Sequence, residues 1–168
     1  MLDVGRFEEA VGVLGRSIVI LRETGDRRNE GVALDILGLA LLQVGRLGEA
    51  INAHIIAVGI LREAGDRRSE GRALGNLGLA AWEAGQLDVA IAMHEAAVAS
   101  FREFGDQANE GSVLNSLGAV LQDAQRFEEA IGTYERAASI FREAGDRHSE
   151  GIALKRLAAA RDARAAPS

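Results

Sequence analysis

The chain has 168 residues and a net charge of −6, and its 19 Lys and Arg residues include a single lysine, Lys155. No basic tract is present, which argues against direct DNA or RNA binding, and the absence of cysteine removes disulfides, thiolate metal sites and thiol nucleophiles. Met1 to Val4 is not a charged leader, and no uncharged apolar run approaches the ~18 residues that cross a bilayer, so a cytoplasmic protein without a membrane partner is expected.

The sequence repeats every 40 residues: GDRRNEG at Gly25, GDRRSEG at Gly65, GDQANEG at Gly105 and GDRHSEG at Gly145. A period in this range marks a solenoid of stacked supersecondary units. The first segment aligns with the second half of the later copies, LDVGRFEEA at Leu2 over LQVGRLGEA at Leu42, and predicts one helix over 6–24. In the first full copy, Leu34, Leu37 and Leu41 and then Leu47, Ile51, His54, Val58 and Leu61 fall at helical spacing, predicting helices over 26–43 and 46–64. The same division gives 66–84, 86–104, 106–124, 126–144 and 146–163. Gly25, Gly65, Gly105 and Gly145 close helices between repeats, as Gly45 and Gly85 do within them. The aspartate after each of the first four (Asp26, Asp66, Asp106, Asp146) caps the next helix. Arg22, Arg62, Arg102 and Arg142 suit the negative helix ends that precede those caps. The expected fold is a single all-α array over 1–168: a half repeat at 1–24, full repeats at 25–64, 65–104 and 105–144, and a capping helix and tail at 145–168.

Two columns of small residues, Gly38, Gly78 and Gly118 in first helices and Ala50, Ala90 and Ala130 in second helices, let paired helices approach closely. An interior helix glycine costs ~1 kcal/mol relative to alanine, so its recurrence implies a compensating contact. Glu30, Glu70, Glu110 and Glu150 recur as structural residues do. His54 and His94 stand one repeat apart, in the slot that Leu14 and Tyr134 fill elsewhere. They read as core side chains, because no third ligand recurs beside them. The Gly-Asp-Arg-Arg segments lack the strand context and Lys-Ser/Thr ending of a phosphate loop. No catalytic residue, metal ligand or cofactor site is therefore expected, and the chain is not read as an enzyme.

These residues resemble the tetratricopeptide repeat (TPR) in a 40-residue form, along essentially the whole chain. Leu37-Gly38, Leu77-Gly78 and Leu117-Gly118 match the family's Leu-Gly, Ala50, Ala90 and Ala130 its first alanine, and Ala57, Ala97 and Ala137 its second. Tyr134 matches the aromatic between the alanines, whereas His54 and His94 depart from it, and the family's closing proline is missing. The variant resembles arrays in bacterial regulatory and signalling proteins, a setting that the Ala-, Gly- and Arg-rich composition also suggests. The resemblance implies a right-handed superhelix of about eight antiparallel helices and a non-enzymatic scaffold for protein–protein interaction. Its first helices would line a concave groove holding a partner peptide or helix.

On that basis the groove candidates are Ile36, Leu39 and Leu42, then Arg72, Asn76, Leu79 and Trp82, then Asn115 and Gln122, then Lys155 and Arg156. Trp82, the only tryptophan, serves either as a groove anchor or as cover for the core between repeats. Asn76, Lys155 and Arg156 suit the carboxylate clamp of some family members, but Asp35, Leu39, Ser112 and Ser116 stand where its partners belong. A peptide with an apolar stretch and some acidic residues fits better. The alternative function is a structural solenoid that self-associates through its N-terminal half. The first helix would expose parts of Val11, Leu14, Ile18 and Leu21, and Ile55-Ile56 replaces the more polar Glu95-Ala96 and Glu135-Arg136 on the outer face. Arg161 and Arg164 make the last helix read as a polar cap.

Overall fold

The structure, a computed structural model, describes residues 4–165. Among the described residues the chain is all α: α1 (Val4–Glu23), α2 (Arg27–Gln43), α3 (Leu47–Glu63), α4 (Arg67–Glu83), α5 (Leu87–Glu103), α6 (Gln107–Asp123), α7 (Phe127–Glu143) and α8 (Arg147–Ala165). These match the spans expected from the glycine and aspartate punctuation to within a few residues. The reason is visible at each junction. Gly25 takes φ +74°, donates its N–H to Arg22 O and lets Asp26 N reach Leu21 O, so the two bonds satisfy the last carbonyls of α1. Asp26 then accepts the Asn29 N–H and starts α2. Asp66, Asp106 and Asp146 do the same with Ser69, Asn109 and Ser149. Between α6 and α7 no glycine stands in this position; Gln125 adopts φ +59° instead, a left-handed conformation uncommon for a residue with a Cβ.

The recurrent arginines and glutamates do more than complement helix ends. Arg22 Nε meets Glu30 Oε1 at 2.9 Å while Arg27 meets the other oxygen at 2.6 Å. Arg62 and Arg67 hold Glu70 likewise, at 2.7 and 2.9 Å. Arg102 bonds Glu110 and Arg142 bonds Glu150. Each clasp ties the last turn of one helix to the first turn of the next. Glu30 is fully buried, and burial raises its pKa, but the hydrogen bonds and charges of Arg22 and Arg27 outweigh that and leave its carboxyl below the ordinary range.

The chain is organised as two compact units, one ending at Gly85 and the other beginning at Gln86. In the first, α1 packs on α2, α2 on α3 and α3 on α4, with α4 also touching α2. Its core includes Leu41, Leu42, Ala50, Ala53 and Ala80, with Val11 and Leu37 packed against them. In the second, α5 packs on α6, α6 on α7 and α7 on α8, with α8 touching α6, around Val98, Leu114, Ala137, Phe141 and Ala153.

The glycine column has a more specific cause than close backbone approach. A Cβ on Gly38 would lie 2.5 Å from the His54 ring, and one on Gly118 2.6 Å from the Tyr134 ring. Each glycine therefore accommodates a ring from the second helix of its own repeat. Gly118→Ala is expected to lose about 1–2 kcal/mol in urea denaturation, as overpacking outweighs the gain in helix propensity. A variant as stable as the parent would show that the ring moves aside at no cost.

Candidate functional site

In the N-terminal unit the polar centre is Asp35 on α2. Only 1% exposed, its carboxylate contacts His54 Nδ1 at 3.0 Å from α3 and accepts from Asn76 Nδ2 at 3.0 Å and Arg72 Nε at 3.3 Å from α4. Burial pushes the Asp35 pKa up, but the hydrogen bonds from His54 and Asn76, with the attraction of His54 and Arg72, leave it below the ordinary carboxylate range. An ionised carboxylate can only accept, so Nδ1 is the donor. The other nitrogen, Nε2, is buried without a hydrogen-bond partner, on a ring that lies against Gly38. A His–Asp pair is a familiar acid–base arrangement, but this one is sealed from solvent, with His54 fully buried. Its effect is to join three helices.

Arg72 and Asn76, both expected to line a groove, are thus engaged with Asp35. Ile36 and Leu39 are exposed on α2, and Leu79 and Trp82 are half-buried on α4. Leu39 and Leu79 occupy the same place in successive repeats, on helices that touch. Leu42, also expected in the groove, is buried in one cluster with Leu41, Ala50 and Ala53 and with Ala80 of α4. In the C-terminal unit Lys155 and Arg156 are exposed on α8, and Gln122 is half-buried on α6. Arg156 donates to the Asn115 carbonyl at 3.1 Å, and the Asn115 side-chain oxygen is buried without a partner. The exposed candidates of the first unit are thus apolar beside a neutralised charge cluster, and those of the second are polar to cationic.

Of the self-association candidates, Ile55 and Ile56 are exposed, and Val11, Leu14 and Leu21 are partly so. Ile18 is not exposed. It is buried on the side of α1 that packs on α2, just as Val58 and Val98 are buried at the equivalent places. Val13, Val19 and Ile20, exposed apolar residues of α1, were not singled out by their spacing.

The Tetratricopeptide repeat family profile matches residues 36–103 and 109–166. The chain belongs to the tetratricopeptide repeat family. Among solved structures it is similar to the nearly identical TPR-like repeats of a candidate kinesin light chain from Podosopora anserina and to a point variant of the same repeats. Each is 20% identical with TM-score 0.81, over 95% of this chain and 79% of that one. It is also similar to BtubC (BKLC) from P. vanneervenii, at 17% identity and TM-score 0.61, over 98% and 91% of the two chains. These likenesses show the fold. No curated protein sequence matches the chain.

A cleft of about 480 Å³ lies between the second helices α5 and α7, floored by Val98, Leu117 and Leu121 and rimmed by Glu95, Arg102, Glu129 and Arg136. Gly132 and Thr133, small residues on α7, also line it. None of the groove candidates borders it. Two of its charges are already satisfied, Arg102 by Glu110 and Glu129 by Arg126, so its chemistry is a shallow apolar floor in a balanced rim. Among the described residues no cluster of three or more His, Cys, Asp or Glu could hold a metal, and no helix is long and apolar enough to cross a membrane.

Proposed function

We propose that this TPR chain is a non-catalytic scaffold that binds a partner segment on the exposed faces of its first helices. The observation that carries the reading is the pair Ile36 and Leu39, two apolar side chains exposed on α2 where the other face of the same helix is buried. Exposed apolar residues beside polar anchors are the usual composition of an interface core. On α8, Lys155 makes no side-chain pair among the described residues and Arg156 donates only to a neutral carbonyl, so both cations are available to acidic groups. The partner segment combines an apolar stretch with acidic residues. A bacterial regulatory or signalling setting in the cytoplasm is supported by the cysteine-free, arginine-rich composition.

Selection of peptides from a displayed random library, followed by calorimetric titration, tests this. Peptides with apolar and acidic positions should be enriched, and Ile36→Glu and Lys155→Glu should each weaken them about tenfold or more. Selected peptides that bind both variants as tightly as the parent would overturn the reading.

A further inference from the structure

The helices at the two ends expose the faces that the other repeats bury. Ile20 on α1 stands 40 residues before Ile60, yet it is 59% exposed where Ile60 is 5% exposed. Val13, in the place of Ala53, is 47% exposed against 5%. On α8, Leu154 follows Leu34, Leu74 and Leu114, none more than 6% exposed, but is itself 41% exposed. The face on α1 is the one a second helix offers to the first helix of its own repeat. The face on α8 is the reciprocal one.

The two faces match in detail. Within full repeats, Gly31 lies under Ile60 and Leu61, and Gly111 under Ile140 and Phe141, so close that a Cβ would meet Leu61 at 2.7 Å and Phe141 at 2.9 Å. At these positions α8 carries Gly151, which has nothing within 4 Å of an added Cβ, and α1 carries Ile20 and Leu21. The ring slot is matched by size. Where Gly38 and Gly118 face His54 and Tyr134, α8 has the larger Ala158 and α1 has Leu14, which reaches less far than either ring. Charge agrees as well. Arg27 and Glu63 pair at 3.2 Å between α2 and α3; the equivalent residues are Arg147 on α8 and Glu23 on α1, and neither has a side-chain partner among the described residues. Arg161, the polar residue that interrupts the apolar face of α8 and bonds Glu135 of its own chain, is equivalent to Leu121, which borders a cleft with Glu129. On α1 the equivalent of Glu129 is Glu9, so the acid is retained at that place.

We propose that α1 and α8 are the two halves of one repeat, and that α8 of one copy docks on α1 of a second copy, head to tail. This surface is separate from the partner-binding faces of the first helices. A heterologous contact of this kind propagates into rings or open chains instead of stopping at a symmetric pair.

Sedimentation velocity from about 1 to about 200 µM, with helicity checked by circular dichroism, tests it. The parent chain should grow in mass with concentration. Ile20→Glu and Leu154→Glu each lose one face and should be monomeric alone. Mixed in equal amounts they should form a species of two chains and nothing larger, because one live α1 and one live α8 remain. Charge reversal leaves the apolar faces untouched: Arg147→Glu or Glu23→Arg should weaken association severalfold, and both together in one chain should restore it. A parent monomeric throughout, a mixture that does not associate, or a Leu154→Glu chain that still dimerises would each overturn the proposal, the last by revealing a symmetric contact of α1 with α1.

Discussion

Asp35→Ala is expected to lower the unfolding free energy by about 3 kcal/mol, the scale seen when one member of a buried ionic cluster is removed. The loss has three sources. His54 Nδ1 is left buried without its acceptor, Arg72 and Asn76 lose the contact that draws α4 toward α2, and the packing around the missing carboxylate is not refilled. His54→Leu should be comparably costly, because it removes one of the hydrogen bonds that compensate a buried charge. The double variant should recover part of the sum, since both damaged partners are then gone. The folded-state pKa of Asp35 is depressed, so its contribution is complete above the ordinary carboxylate value of 3.8 and is lost as pH falls below it. The gap between parent and Asp35→Ala should accordingly narrow in acid. Urea denaturation at neutral pH and near pH 3 measures both effects; a neutral-pH loss below about 1 kcal/mol would mean that the cluster only balances its own desolvation.

A second large effect is expected from His94. This imidazole is buried, with neither nitrogen hydrogen-bonded among the described residues, and burial lowers its pKa from 6.5 to about 4. The folded chain therefore keeps His94 neutral while the unfolded chain takes up a proton first. Stability is complete above about pH 6.5 and declines as the pH falls toward 4, by about 3 kcal/mol over the window. His94→Leu places in this slot the residue type that Leu14 supplies in α1. It should flatten the decline between pH 6.5 and 4 while leaving the steeper loss at lower pH, where the paired carboxylates titrate. Parallel stability curves for the two proteins would refute the assignment.

The sequence makes the helices legible because the boundaries between repeats carry a left-handed glycine followed by a capping aspartate, and two of those within repeats carry the glycine alone. Where that signal is absent, at Gln125, the turn forms anyway, held by the flanking helices and detectable only by comparison with Gly45 and Gly85. Periodicity also finds the glycine column, but not the rings that require it, since Gly38 and His54 meet only when two helices fold together. Asp35 shows the same limit. Helical spacing places it on a groove face, in a column (Asp35, Gly75, Asn115, Lys155) that differs in every copy, so nothing in the pattern marks its contact with His54 across two helices. Leu42 and Ile18 differ from their expected exposure because neighbouring helices cover them, which spacing within a single helix does not reveal. Spacing does not distinguish Val13 and Ile20 from their equivalents in the core, Ala53 and Ile60; only the solvent exposure of α1 does.

The ring-on-glycine contacts also constrain how such a chain can lengthen or shorten over evolution. A duplication or deletion cut at Gly25, Gly65, Gly105 or Gly145 carries each glycine away together with its own ring. A cut at Gly45 separates Gly38 from His54, and one at Gln125 separates Gly118 from Tyr134, and either can set a ring against the wrong neighbour. Genetic exchange should therefore be tolerated between repeats and punished within them. Asp35, whose partners on α4 belong to the following repeat, goes further and fixes the order of the first two.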